Sequence, residues 1–454
     1  MGRLVVVSNR VPSPRERGHP AGGLAVGLKD AIGGQPTLWF GWSGQISGTR
    51  TSQAKDGDAK PKTSTQGGVT YATIDLTPQQ HKGFYQGFSN RILWPLFHYR
   101  MGLVEYSRED LETYLDVNAL FARTLAPLLR PDDVIWVQDY HLIPLGEALR
   151  AIGVRNRIGF FLHTPFPPLA LFGALPGAAH LIRSLAGYEL IGLQTEEDRR
   201  HVDQALAAER VTAATGAFPI GIDADEFALQ AGKAAGGADL ERLKESMHDR
   251  ALILGVDRLD YSKGLPQRFQ GYERLLKRFP EHRGRVTFLQ VAPVSRGDVA
   301  EYKALRRRLD EQAGRINGEW AEFDWVPIRY ITRAIPRPTL AGFHRYARVA
   351  LVTPLRDGMN LVAKEYVAAQ DPADPGVLVL SRFAGAAPEL GEAVLVNPYD
   401  PDEIAEGLHQ ALSMPKAERI TRWQAMDRAV HEVTAASWAR SFLAALGQQK
   451  PRAG

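Results

Sequence analysis

The chain has 454 residues, of which 44% are apolar and 23% charged, and its 55 Lys and Arg against 51 Asp and Glu leave a formal charge of only +4. That length supplies material for about two or three domains, and so slight a surplus, with no Lys/Arg tract interleaved with aromatics, argues against a nucleic-acid partner. The lack of cysteine removes disulfides, thiolate nucleophiles and Cys-ligated metal centres, while no run reaches membrane-spanning length and the apolar stretch of MGRLVVVSNR is too short for a signal-peptide core, so a cytoplasmic location with no membrane partner is expected.

Short apolar runs alternate with amphipathic helical stretches almost throughout, the pattern of parallel sheets covered by helices on both faces. In the first half the strands are expected at Leu4 to Ser8, Leu38 to Trp42, Val134 to Gln138, Ile158 to His163, Leu190 to Gln194 and Phe218 to Ile220. The polar segment Gly48 to Gly68 reads as a surface excursion outside the core. An Ala-, Gly- and charge-rich stretch follows Gly221-Ile222-Asp223, and a fresh strand at Ala251 to Val256 opens a second series at Arg285 to Val291, Val326 to Ile331, Val349 to Val352, Val377 to Leu380 and Val394 to Val396. Helices are expected over Asp400 to Leu412 and Pro415 to Leu446. The fold class is therefore α/β, with two Rossmann-like domains facing a cleft, divided near residues 222 and 223.

Several polar turns fall where strands of such a fold end, which is where its ligands bind. Arg10 closes the first strand, and Gly22-Gly23 opens the first helix; the lone glycine pair does not match G-x-G-x-x-G. Asp139-Tyr140-His141 follows VIWVQ, and His163 ends IGFFL. A capping Asp or a His satisfying a buried carbonyl is the plain alternative at these positions. Tyr85, flanked by Gln86, Gly87 and Asn90, is the aromatic most suited to face a cleft. Arg258 and Lys263, five residues apart in VDRLDYSKGLPQRF, can converge on a diphosphate, and Arg296 in SRGD repeats the theme. For these cations a solvated charge cluster is the alternative.

The segment PLRDGMNLVAKE, residues 354–365, joins an apolar strand to a helix expected over Asn360 to Gln370. Gly358 is suited to an unusual backbone conformation, the helix N-terminus offers N–H groups to a phosphate, Asp357 stands at the mouth, and Glu365 can accept hydrogen bonds from sugar hydroxyls. A nucleotide sugar presents both kinds of partner. Spacings for a His metal site, a G-x-S-x-G elbow or a Walker loop do not occur.

With these motifs assembled, the chain resembles the trehalose-6-phosphate synthases, retaining glucosyltransferases that join UDP-glucose to glucose 6-phosphate. The resemblance runs through VVVSNR, AGGL, WFGWSG, FSNRILWPLFHYR, DYHL, RIGFFLHTPFP, PIGID, RLDYSKGLPQR, APVSRGD, AGRINGE, TPLRDGMNLVAKEYVAAQ and NPYD, over nearly all of the first 400 residues. It implies a GT-B fold, with an acceptor domain over residues 1–222 joined by a returning C-terminal helix at about 429–454, and a nucleotide-sugar domain over 223–428. By position it places Arg10, Tyr85, Asp139 and Arg296 on glucose 6-phosphate. Gly22, Gly23, Arg258, Lys263, Ile335, Asp357 and the run Leu361, Val362, Ala363, Lys364 and Glu365 fall on the UDP-glucose site. Within that site Arg258 and Lys263 would grip the diphosphate, Glu365 the ribose, Asp357 and His163 the transferred glucose, and Ile335 the uracil. The resemblance makes Arg258, Lys263, His163 and Asp139 the catalytic set, implies retention to an α,α-1,1 linkage without a metal or other cofactor, and suggests a homodimer or homotetramer.

The loops over 12–20 and 210–218 depart from the family pattern. The donor base stays open between UDP and another NDP, because a helix end that grips a diphosphate is indifferent to the base beyond it. Two alternatives stand beside the main reading: a related enzyme with another phosphorylated acceptor, such as a glucosylglycerol-phosphate synthase or a pseudo-glycosyltransferase, and a catalytically silent regulatory paralogue.

Overall fold

The computed structural model describes residues 2–12, 28, 36–47, 61–294 and 300–449. The chain divides into two compact units, Met1–Ile220 with Ala435–Gly454, and Gly221–Thr434.

The first unit is built on an eight-stranded sheet of order β3-β4-β2-β1-β5-β6-β7-β8. Its strands are β1 (Leu4–Arg10), β2 (Thr37–Ile46), β3 (Lys62–Gln66), β4 (Val69–Leu76), β5 (Val134–Gln138), β6 (Arg157–Phe161), β7 (Leu190–Leu193) and β8 (Ala214–Ala217). All neighbours run parallel except β3 and β4. Central strands such as LVVV in β1 are buried, as apolar runs covered on both faces must be. Helices α1 (Arg108–Leu125) and α2 (Glu196–Ala208) start at Ser107 and Thr195, whose side chains accept from the backbone N–H groups of Asp110 and Asp198.

Three strands differ from the sequence expectation, one of them β4, since no strand is expected over Val69–Leu76. Residues 62–66, assigned to a surface excursion, form the exposed edge strand β3, which pairs with β4 through a Gly67-Gly68 turn whose φ angles of 58° and 81° suit a two-residue hairpin. Residues 48–60 of that excursion lie outside the described residues. The last strand of the sheet is Ala214–Ala217 instead of Phe218 to Ile220; its composition is poor for a strand, and pairing with β7 creates it. A further departure is a π-helix over the thirteen residues His81–Leu93, entered from a Thr77 capping box.

The second unit carries an all-parallel sheet of order β11-β10-β9-β12-β13-β14. Its strands are β9 (Ala251–Val256), β10 (Val286–Val291), β11 (Ile328–Ile331), β12 (Val349–Val352), β13 (Val377–Ser381) and β14 (Val394–Val396). Around it lie α3 (Ala224–Ala234), α4 (Leu265–Arg278), α5 (Ala300–Trp320), α6 (Arg337–Tyr346), α7 (Leu361–Ala369), α8 (Pro401–Ser413) and α9 (Lys416–Glu432). One core joins the sheet to α4, α5 and α8 through Phe269, Tyr272, Leu309, Ile316, Ile404 and Leu408.

The final helix α10 (Ala435–Gln448) belongs to the first unit. Trp438 and Phe442 pack on Trp136 of β5 at ring distances of 4.9 and 5.2 Å. Gly159 and Gly192 make room, since a Cβ at either would stand 2.8 or 2.7 Å from the Phe442 ring. The returning segment begins at Ala435, against an expected start at about 429, and the helical stretch expected from Pro415 to Leu446 is interrupted after Glu432. α9 runs to Glu432 with the Trp423 indole donating to Val367 O of α7 at 2.9 Å, after which Val433 turns extended at φ −123°.

In both sheets the strand order reverses beside the first strand of the unit. β1 lies between β2 and β5, and β9 between β10 and β12. Crevices outside strand C-termini open at such switch points.

Candidate active site

In the second unit the segments leaving β9 and β12 are tied to each other. Asp260 holds its turn by accepting from Ser262 N at 3.0 Å and Ser262 Oγ at 2.9 Å, while its other oxygen accepts from Tyr302 OH at 3.1 Å. Gly264, at φ 65°, then lets the chain pass the exit of β12, because a Cβ there would stand 2.2 Å from Thr353 O. Leu355 N donates to Ser262 O at 2.8 Å. Beneath this junction sits Arg268 of α4, fully buried, donating to Asp257 Oδ2 at 2.8 Å, Gln290 Oε1 at 3.0 Å, Thr353 Oγ1 at 3.1 Å and Lys263 O at 3.3 Å. Such a cation, with donors spent on four partners from the exits of β9 and β12 and from β10, fixes the loop more than it stabilises the fold. Burial pushes the Asp257 carboxyl up, against the opposing pull of Arg268 and Lys263.

The consequence is a defined position for Lys263. Its ammonium lies 2.5 Å from Asp357 Oδ2, which also accepts from Asn360 Nδ2 at 3.1 Å. Arg258 is half-buried in the same β9 exit. The left-handed conformation of the β12 turn belongs to Asn360, at φ 81°, rather than to the expected Gly358. Asn360 caps α7 by accepting from Ala363 N at 3.3 Å; Leu361 and Val362 head the helix with N–H groups that its own turns do not use. Gly358 matters through its carbonyl: a Cβ on Gly385 would fall 1.8 Å from it.

Two members of the Leu361 to Glu365 run have different surroundings. The Lys364 side chain is 1% exposed and paired with Glu389 at 2.9 Å, so it turns into the protein and leaves only its backbone to a ligand. Burial lowers its pKa, with Glu389 opposing. Glu365 is half-buried and pushed up by burial, while Arg337 at 3.4 Å pulls the other way. Arg337 lies over the Phe227 ring at 5.3 Å, and sequence reasoning missed it. A ribose-binding carboxylate needs an orienting partner, but nothing in the spacing from 337 to 365 signals the pair. Ile335 is buried in the turn before α6.

In the first unit, Arg10 and Asp139 stand at the ends of β1 and β5, on either side of the switch point. The Trp39 indole donates to Ser8 Oγ at 2.8 Å, and that hydroxyl donates to Arg10 O at 2.9 Å. Gly44, at φ 85°, lets the Arg10 guanidinium pass: a Cβ there would lie 2.8 Å from Nε. This assigns the second glycine of WFGWSG a role that the motif alone did not reveal. Tyr85 stands on the π-helix among Trp42, His81 and His141, with ring distances of 5.5, 5.4 and 6.0 Å. Asn90 locks that wide turn, donating to Tyr85 O at 2.8 Å and accepting from Tyr140 OH at 3.0 Å.

Asp139 takes φ 71° and accepts from His163 N at 3.2 Å, so two strand exits share one carboxylate. His163 Nε2 lies 2.9 Å from Gln138 Oε1 and Nδ1 lies 3.2 Å from Gln194 Nε2. The Gln194 carbonyl accepts from Ile220 N at 2.9 Å, leaving its amide to donate to Nδ1, so the proton of His163 sits on Nε2. Burial pushes the imidazole down to about 3. His163 is a neutral donor in this unit, not an acid. Gly22, Gly23 and Arg296, also expected at the site, lie outside the described residues.

Two parallel-sheet units, each with polar and cationic residues at the strand exits of its switch point, define a glycosyltransferase of the GT-B architecture. The chain belongs to glycosyltransferase family 20, whose profile matches residues 3–448. A trehalose-6-phosphate synthase of Sinorhizobium fredii is 49% identical over 470 residues, covering 100% of both chains. The crystal structure of a UDP-forming α,α-trehalose-phosphate synthase from Burkholderia xenovorans, in complex with glucose 6-phosphate, is 48% identical with a TM-score of 0.93 and covers 98% of this chain and 100% of that one. A trehalose-6-phosphate structure from E. coli bound with UDP-2-fluoro glucose is 46% identical with a TM-score of 0.92, covering 99% and 100%.

Proposed function

We propose that this chain transfers glucose from UDP-glucose to glucose 6-phosphate with retention, giving α,α-trehalose 6-phosphate and UDP in trehalose biosynthesis. The observation that carries it is the junction of Lys263, Asp357 and the Asn360-capped helix α7 at the switch point of the second unit: cation, carboxylate and helix end together suit a sugar diphosphate. Both substrate chemistries are represented among the relatives, one bound to glucose 6-phosphate and one to a UDP-2-fluoro glucose.

In the same proposal Arg258 and Lys263 hold the diphosphate, with Gly22, Gly23 and the backbone of residues 361–364 beside it. Glu365, oriented by Arg337, accepts from the ribose, and Ile335 packs on the base. Arg10, Tyr85, Asp139 and Arg296 hold glucose 6-phosphate. Asp357 and His163 take the hydroxyls of the transferred glucose. The bond from the anomeric carbon to the diphosphate oxygen breaks as the acceptor hydroxyl bonds to the same face; its proton passes to the departing phosphate oxygen, and Arg258 and Lys263 stabilise the charge that separates. No helix among the described residues is long and apolar enough to cross a membrane; the proposal places the protein in the cytoplasm as a homodimer or homotetramer, which sedimentation would test.

The deciding experiment measures nucleoside-diphosphate release from UDP-, ADP- and GDP-glucose with and without glucose 6-phosphate, and identifies the product by NMR. Release from UDP-glucose that depends on glucose 6-phosphate, with an α,α-1,1 product, is the expected result. Acceptor-independent release, or none with any donor, would return the weight to another acceptor or to a silent paralogue.

A further inference from the structure

We propose that Glu281, His282 and His409 form a binding site for a divalent transition metal of the zinc or nickel type, which ties the end of α4 to α8. Among the described residues these three are the group whose potential ligand atoms converge, all within 4.8 Å of one another. His282 Nε2 lies 3.0 Å from His409 Nδ1, and His409 Nδ1 lies 3.6 Å from Glu281 Oε1. Two imidazole nitrogens on a tetrahedral zinc stand about 3.3 Å apart, so the ion enters with shifts of a few tenths of an ångström. It takes the place of the proton that the two rings otherwise share.

The ligands are held by packing rather than by the metal. His282 closes the turn Pro280–His282 directly after α4 and is buried, and His409 projects from α8. The His409 ring stacks on Phe279 at 4.0 Å and 6°, which fixes its plane, and Arg278 caps the other end of the same contact with ion pairs to Asp402 and Glu406 of α8 at 3.3 and 2.7 Å. Two imidazoles with one carboxylate select a borderline transition ion over calcium or magnesium, which prefer all-oxygen shells. His282 precedes β10, whereas Lys263 and Asp357 follow β9 and β12, so the cluster lies at the strand-entry end of the sheet, opposite the exits of the candidate site. The site is structural, and its loading leaves turnover alone.

The test titrates the full-length, untagged protein, freed of metal, with zinc chloride and separately with nickel chloride by calorimetry. Thermal unfolding with and without a chelator runs in parallel. One equivalent bound per chain is expected, with a melting temperature raised by roughly 5 °C when free metal is about one hundred times its dissociation constant. His409→Ala abolishes that equivalent. Glu281→Gln, at an exposed position that cannot disturb the core, weakens it by at least about tenfold. His431→Ala, which removes the exposed histidine beside Asp225 and Asp427, leaves it intact. Less than one equivalent in the wild type, binding unchanged in both His409→Ala and Glu281→Gln, or loss on His431→Ala would overturn the proposal.

Discussion

Lys263 gives its charge to Asp357 at 2.5 Å, with both side chains only 12% and 14% exposed, so an incoming diphosphate competes with a carboxylate for the same ammonium. The exchange favours the reacting state, because charge on the diphosphate grows as the glycosidic bond breaks while the charge on Asp357 does not. Lys263→Ala is therefore expected to lower kcat by about a hundredfold or more, leaving KM for glucose 6-phosphate within roughly twofold, in steady-state assays varying each substrate. Normal turnover in that variant would remove Lys263 from the mechanism. His163 makes a prediction about pH. The folded chain holds it neutral with a pKa of about 3, whereas the unfolded chain takes up a proton near the ordinary value of about 6.5. Acid thus favours the unfolded state: the stability linked to this group is intact above about pH 6.5 and drains as pH falls toward 3. Between pH 7 and pH 5 the wild type should lose about 2 kcal/mol that His163→Gln does not, measured by urea unfolding at both values.

At the scale of elements, the sequence was most legible where strands are buried on both faces. β5, β9 and β12 fall on the expected residues, since a parallel strand inside a sheet is a bare apolar run. The exit turns after them could be located for the same reason, and with them Asp139, Arg258, Lys263 and Asp357, as could Arg10 at the end of β1. Besides β4, for which no strand was expected, three features could not be read. β3 is fully exposed and polar, and only the Gly67-Gly68 pair marked its turn; β8 is an Ala-Thr-Gly-Ala segment made into a strand by its neighbour; and the π-helix has no periodicity that distinguishes it from an α-helix. Residues that hold the site from behind, such as Arg268, Arg337 and Gly44, were equally silent, because partners such as Thr353, Glu365 and Arg10 lie far along the chain. The π-helix is where this matters most. Its wide turn lets the Asn90 amide reach Tyr85 O while Tyr140 OH holds the other end. Asn90→Ala should free that turn and raise KM for glucose 6-phosphate by about tenfold, roughly the worth of a lost hydrogen bond at a partly buried carbonyl, with KM for UDP-glucose unchanged. Equal effects on both substrates would mean that Asn90 supports the fold and not Tyr85.

Over the whole molecule, the order of the chain does not match the order of its cores. The first unit is made by residues up to 220, then completed by a helix that arrives only after the second unit has ended at Thr434. α10 is not an accessory: Trp438, Phe442 and Leu446 are each at most 1% exposed, and β6 and β7 carry Gly159 and Gly192 where any larger side chain would collide with Phe442. A sheet surface carved for one ring cannot close over its loss. Phe442→Ala should therefore cost about 3–5 kcal/mol, the range for an aromatic removed from a core that cannot collapse. The second unit keeps a separate core around β9, β10 and α4, to which Phe442 contributes nothing. Hydrogen exchange of the variant should accordingly quicken in β5, β6 and β7 and stay at the wild-type rate in β9, β10 and β12. Equal acceleration in both sheets would show that the two units unfold as one, and that the late return of the chain couples the stability of the first sheet to that of the second.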